Sequence, residues 1–185
     1  MKSKLYSLSL LIAIIFISGC GSSENQNQGA ESTTAVQSVG QSGVKDDVSN
    51  PNIVQIAVGS EDHSTLVAAL KAADYVDALT NVGPFTVFAP TNAAFDALPT
   101  GTLETLTKKE NQRQLRDILE YHVLLGVYKP EDFVNGRKMG TADGRSVEIE
   151  VAKDGAVLVN GGKIIGTVQA SNGIIHVIDK VLVPN

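Results

Sequence analysis

From Gly173 to Pro184 the chain reads GIIHVIDKVLVP, a run that is apolar on both of its alternating faces. A strand of that kind has to be covered on both sides, so it belongs in the middle of a sheet rather than at an edge. Upstream, Val147, Ile149 and Val151 alternate with Glu148 and Glu150, the period of a half-buried strand. Asp154-Gly155 then supplies a hairpin turn into Ala156 to Val159, and Asn160-Gly161-Gly162 supplies another into Lys163 to Ala170. The back half of the chain therefore reads as a meander of antiparallel strands.

The front half has a different period. Leu66, Val67, Leu70 and Ala73 recur at helical spacing, with Asp62 or Ser64 available as N-cap. Gly83-Pro84 marks a turn, Phe85 to Phe88 suits a strand, and Pro90 closes it. Thr91 or Asn92 can cap a short helix that buries Ala94, Phe95 and Leu98. A further helix from about Glu110 to Glu120 sets Leu115, Ile118 and Leu119 against Arg113, Arg116, Asp117 and Glu120, whose charges form a solvated face. Helices segregated from an antiparallel sheet make an α+β domain.

That domain occupies residues 51–185, and what precedes it is of another character. Lys2 and Lys4 lead into an apolar stretch from Leu5 to Ile17 that is too short to span a bilayer, for which about 20 residues are needed. Ile17-Ser18-Gly19-Cys20 follows, so residues 1–19 read as an export signal with a small-residue cut site. These four residues resemble the bacterial lipobox, which implies that Cys20 becomes a lipid-carrying N-terminus. Gly21, not Asp, comes next, which by the same resemblance leans toward the outer membrane if the cell is Gram-negative. One acyl chain holds a protein to a membrane only marginally, whereas two or more give a stable anchor. Residues 20–50 are rich in Ser, Gly, Gln, Asn and Thr, cannot bury enough surface to fold, and would reach about 30 Å as a flexible tether.

Composition removes several functions. Cys20 is the only cysteine, so the domain holds no disulfide and no thiolate metal site. The net charge of -5 excludes the basic field that draws nucleic acid, and with no Trp a stacking platform for bases or sugars is not evident. No motif asks for a cofactor.

Three segments resemble the fasciclin domain family: Gly83 to Phe95 (GPFTVFAPTNAAF), Tyr121-His122-Val123-Leu124, and Asn172 to Leu182 (NGIIHVIDKVL). They look like its first block, its Tyr-His block and its second block, in that order across residues 51–185. The resemblance implies a β-wedge of antiparallel strands with helices packed around it. It also implies contact with cell surfaces or extracellular matrix, without enzyme activity.

Each candidate residue has a structural reading beside the functional one. In animal members of the family the Tyr-His pair is associated with receptor adhesion, so Tyr121 is the candidate partner contact. His122 is expected to be a neutral core imidazole, and if the pair is extended the two side chains point to opposite faces. His176 shares a face with Ile174 and Ile178 and is expected to be a satisfied core histidine. Thr91 belongs with the structural residues, as does Asp179, which has either a backbone N–H or Lys180 as partner. Ser60, Glu61, Asp62, His63 and Ser64 contain the residue types of a hydrolytic triad, but neighbours in sequence rarely meet in that geometry, and a capping loop is expected. With no HxH, HxxxH or HExxH, a metal is not expected.

The leading expectation is an exported, lipid-anchored contact module of the cell envelope. It would be held to the membrane through Cys20 and would touch an extracellular protein or polysaccharide. A structural envelope protein that assembles with itself or another lipoprotein is the alternative. A small-ligand binder or enzyme would require a deep apolar pocket near His122 or His176.

Overall fold

The computed structural model describes residues 50–184, so the expected signal 1–19, Cys20 and nearly all of the 20–50 tether lie outside the described residues. In chain order the helices are α1 (Ile53–Val58), α2 (Ser64–Ala72), α3 (Val76–Thr80), α4 (Asn92–Asp96), α5 (Thr102–Leu106) and α6 (Gln112–Tyr121). The strands are β1 (Phe85–Pro90), β2 (Val123–Leu125), β3 (Lys138–Gly140), β4 (Ser146–Val151), β5 (Val157–Val159), β6 (Gly162–Ala170) and β7 (Gly173–Ile178).

The strands form one sheet in the order β2-β1-β7-β6-β5-β4-β3, which puts the twice-apolar β7 in the interior. Its far ends approach each other through a single bridge, Leu124 to Thr141, so the sheet curls nearly shut. All pairs are antiparallel except β1 with β7, which run parallel from Phe85↔Gly173 to Pro90↔Ile178. Side-chain periodicity carries no information about strand direction, so a sheet expected to be antiparallel gains one parallel pair across a long crossover.

Two cores follow from the two faces of β1 and β7. On the outer face, Val87, Ala89 and Ile175 meet Ile53, Leu66, Leu70, Leu115 and Leu119 from the helices. Inside the curl, Phe88 and Ile178 meet Leu124, Phe133, Met139, Val147, Ile149 and Val159. The alternation of β4 is realised there, with Val147 and Ile149 fully buried and Glu148 and Glu150 outside.

Close approach, more than propensity, fixes how the elements meet. A Cβ on Gly173 would lie 2.1 Å from the Phe85 carbonyl oxygen, and one on Gly83 would lie 2.2 Å from that of Asn172. Only glycine lets the starts of β1 and β7 come this near. Beside them the Asn172 side chain accepts from Ile53 N–H at 3.0 Å and donates to the carbonyls of Leu79 at 2.7 Å and Asn81 at 3.0 Å. One side chain thereby ties α1 and the end of α3 to the strand. The six-residue α1 is too short to persist alone; a capping box between Asn52 and Gln55 closes its start, and Ile53, Val54 and Ala57 bury one face.

Helix α2 starts at the expected place, but neither Asp62 nor Ser64 caps it. Its N-cap is His63, whose side chain makes no capping bond, and the Thr65 N–H is instead taken at 3.0 Å by Asn92 Oδ1. Asn92 also donates to the Glu61 carbonyl at 2.8 Å, so a residue from α4 serves as the cap of α2. Helix α6 buries Leu115 and Leu119 as expected and continues one residue further, to Tyr121. Its exposed Arg116–Glu120 pair at 2.9 Å adds no more than about 0.5 kcal/mol, as surface pairs do.

Candidate functional site

Helix α6 ends by delivering two polar side chains into the interior. Tyr121 is its last residue and His122 its C-cap, with φ -86° and ψ -1°, so the pair is helical rather than extended. The alternating-face geometry of a strand does not apply to them, and their directions are set by the last turn of the helix.

His122 is 3% exposed. The Leu182 N–H donates to its Nε2 at 2.9 Å, so the proton sits on Nδ1, which donates to the Ile118 carbonyl at 2.8 Å. Both ring nitrogens are committed to backbone, and burial pushes the imidazole pKa down to about 4 against the smaller opposing effect of the Ile118 bond. The apolar cavity beside it holds about 20 Å³, room for about one water and far less than a small-molecule ligand needs.

His176 is similarly satisfied. Its Nε2 donates to the Tyr128 carbonyl at 2.8 Å, and Nδ1 accepts from the Thr167 hydroxyl at 2.9 Å. Its ring packs edge-on against Phe133, with centroids 5.1 Å apart, and lies 5.9 Å from that of Phe88. Burial lowers its pKa, opposed by the bond to Tyr128. Asp179 takes a backbone N–H: its Oδ1 accepts from Lys163 at 2.8 Å and thereby fixes the chain leaving β7 to the start of β6. Thr91 caps α4, its Oγ1 accepting the Ala94 N–H at 3.4 Å, while its own N–H donates to the Ile178 carbonyl.

The Ser60 to Ser64 cluster forms a short 3₁₀ turn over Glu61–His63, and in it Ser60 Oγ and His63 Nδ1 do meet, at 2.8 Å. The bond joins residues three apart in one turn and engages Nδ1, while Nε2 is buried with no partner of good geometry. No group of three metal-ligating side chains occurs among the described residues, and none of their helices is long and apolar enough to cross a membrane.

Tyr121 has a different setting. It is 4% exposed, and its hydroxyl donates to the Ser146 carbonyl at 3.0 Å while accepting from Asn160 Nδ2 at 2.6 Å. The Arg145 guanidinium lies over its ring, 5.5 Å from the centroid. Arg145 is itself held by Asp143 at 2.6 Å. Burial tends to raise the Asp143 pKa, but bonds from Thr141 and from the Arg145 backbone and side chain outweigh it, and the carboxyl stays below its usual range.

The buried tyrosine lines a cleft of about 560 Å³. The cleft is bordered by Lys138 from β3, Ser146 and Glu148 from β4, Arg145, Asn160 from the β5–β6 turn, and the tail Lys180 to Val183. Tyr121 was the one contact candidate the sequence offered, and the cleft around it assembles side chains spread over more than 60 residues of chain. Each of these charges reads singly as solvated surface. Glu148 lies on the outward side of β4 and Arg145 in the turn before it, whereas Lys138 comes from β3 and Lys180 from the segment after β7, so no single stretch of sequence points at the cleft.

The family model for the fasciclin domain matches residues 61–184. The chain is 52% identical over 133 residues to protein sll1483 of Synechocystis, an alignment covering 71% of this chain and 73% of that one. It is 39% identical over 126 residues to the cell surface glycolipoprotein MPB83 of Mycobacterium bovis, covering 65% and 55% of the two. With human periostin it shares 35% identity over 127 residues, 68% of this chain and 15% of periostin. Among solved structures, the FAS1 domain pair of the insect cell adhesion molecule fasciclin I superposes with a TM-score of 0.63 at 22% identity. That match covers 72% of this chain and 51% of the other, and it bears on the fold alone. The ordered blocks, the nearly closed mixed sheet with its helical cover, and the match over residues 61–184 lead to one assignment: the chain belongs to the fasciclin domain family.

Proposed function

We propose that this protein is a lipid-anchored contact module of the cell envelope that acts through its surface and performs no catalysis. The observation that carries the reading is the fasciclin domain match over residues 61–184, joined to the likeness to a cell surface glycolipoprotein. The Ile17-Ser18-Gly19-Cys20 sequence supplies the anchor, and the polar stretch to residue 50 gives the domain its reach. Export places the domain outside the cytoplasm, at the outer membrane if the cell is Gram-negative.

The interior supports the same division of labour. His122, His176, Asp179 and Thr91 spend their polar atoms on the fold, whereas the cleft at Tyr121 presents charged groups to the outside. A contact module needs only such a surface, with an extracellular protein or polysaccharide as partner.

Binding of the labelled chain to intact cells and to matrix and glycan surfaces tests this. Saturable retention is expected. Capture of a stoichiometric envelope protein from solubilised membranes, with no retention on any external surface, would replace it with a structural role in the envelope.

A further inference from the structure

We propose that the cleft at Tyr121 is a binding site for a carboxylated sugar, the uronic-acid unit of an acidic polysaccharide. The inference rests on the contact-module reading and names the ligand chemistry that this surface would take.

Charge comes first. The chain carries a net charge of -5, yet Lys138, Arg145 and Lys180 all border this one cleft, against Glu148 alone among its lining carboxylates. Arg145 is occupied by Asp143. Lys138 and Lys180 have no carboxylate within 4.0 Å among the described residues, although Lys138 stands directly opposite Glu148 in the β3–β4 register. Two unpaired ammonium groups on one side of an acidic protein attract an anion, and in a concave site the field is focused.

The remaining groups distinguish which anion. Asn160 gives one amide hydrogen to Tyr121 and has the second to offer, and its Oδ1 is already used by the Glu148 N–H at 2.8 Å. The Ser146 hydroxyl has no partner among the described residues, while the Ser146 carbonyl holds Tyr121. Glu148 brings an unpaired acceptor carboxylate into the same cleft. A ligand here must accept from ammonium groups at one point and donate to a carboxylate at another. A sugar with one carboxylate and several hydroxyls on the same ring does both; an acidic side chain of a peptide carries its carboxylate without neighbouring hydroxyl donors. The exposed side chain of Val183 gives an aliphatic wall for the C–H face of a sugar ring. The volume, about 560 Å³, fits one or two sugar units.

The test measures retention of the full chain, in neutral detergent, on immobilised polygalacturonate, dextran, dextran sulfate and polyglutamate. Saturable binding to polygalacturonate and none to dextran is expected. The double variant Lys138→Gln, Lys180→Gln should weaken it at least tenfold. Ser146→Trp leaves the charge unchanged but fills the cleft, and should weaken it as much. Glu148→Gln makes the site more positive, so attraction by charge alone would tighten binding; exchange of the carboxylate for a weaker amide acceptor of sugar hydroxyls should weaken it two- to threefold. Near-UV circular dichroism establishes that each variant is folded. Absence of retention on polygalacturonate, indifference to Ser146→Trp, or tighter binding by Glu148→Gln would overturn the proposal. So would equal or stronger binding to polyglutamate or dextran sulfate, which would reassign the cleft to acidic peptide or sulfate ester. Cell attachment that persists without polygalacturonate retention would end this inference and leave the contact-module reading intact; loss of both would end both.

Discussion

Acidification should destabilise the domain through His122 well before its carboxylates are protonated. In the folded chain the imidazole is neutral, buried, and bonded at both nitrogens to backbone; in the unfolded chain it titrates near 6.5. The folded pKa is the lower of the two, so the stabilisation is complete above pH 6.5 and declines as the pH falls toward the folded value. Below that value both states are protonated and the loss levels off. From 6.5 to about 4, at about 1.36 kcal/mol per pH unit, the loss amounts to about 3 kcal/mol, of which about 2 is reached by pH 5. His176 and His63, whose pKa values are also lowered chiefly by burial, act in the same direction. Urea unfolding at pH 7.5, 6, 5 and 4 gives the stability curve directly. The matched variant His122→Gln keeps a donor and an acceptor but cannot titrate, so the difference between the two curves isolates this one group. The stability of the native chain relative to the variant is expected to fall by about 2 kcal/mol between pH 7.5 and 5. Parallel curves, or an imidazole resonance of His122 that titrates near 6.5 in the folded protein, would refute the assignment of a buried neutral ring.

Gly173→Ala should cost several kcal/mol, because its Cβ would sit 2.1 Å from the Phe85 carbonyl oxygen and β1 would have to part from β7; an unchanged thermal midpoint would contradict the close approach. Asn172→Ala removes the acceptor for Ile53 N–H and two donors to the α3 end, at about 2–4 kcal/mol by urea unfolding, with α1 exchanging its amide hydrogens faster than the sheet. Tyr121→Phe keeps the ring under Arg145 but strips the hydroxyl from the Ser146 carbonyl and Asn160, at about 1–2 kcal/mol; a loss below about 0.3 kcal/mol would mean that the hydroxyl is already solvated.

These residues also mark how far the sequence could be read. The central position of β7 was legible because apolar side chains on both faces leave a strand no exposed side, and the β4 alternation announced its buried Val147 and Ile149. Helices with a wide apolar stripe, α2 and α6, were legible for the same reason. Segments too short to show a period, such as α1, α3 and the three-residue β3, were not. The parallel direction of β1 against β7 depends on chain crossover, which no local pattern records. Asn92 and Asn172 act on elements far away in sequence: one caps α2 from α4, the other binds α1 and α3 from the edge of β7. Their types suit capping, but their targets exist only after folding. His122 and His176 lie buried, where a lone histidine among apolar neighbours is satisfied by backbone groups and, for His176, by the Thr167 hydroxyl. The burial of Tyr121 and the cleft over it come from five separate pieces of chain, each of which by itself is ordinary polar surface.

The proposed contact role requires that the domain work where its anchor holds it, by touching something outside the cell. Cells lacking the protein, restored either with the native chain or with Cys20→Ser, can be compared for attachment to neighbouring cells and to matrix under flow. Attachment restored by the native chain, and not by the released Cys20→Ser form at equal expression, is the predicted result. Equal attachment in all three strains would contradict it.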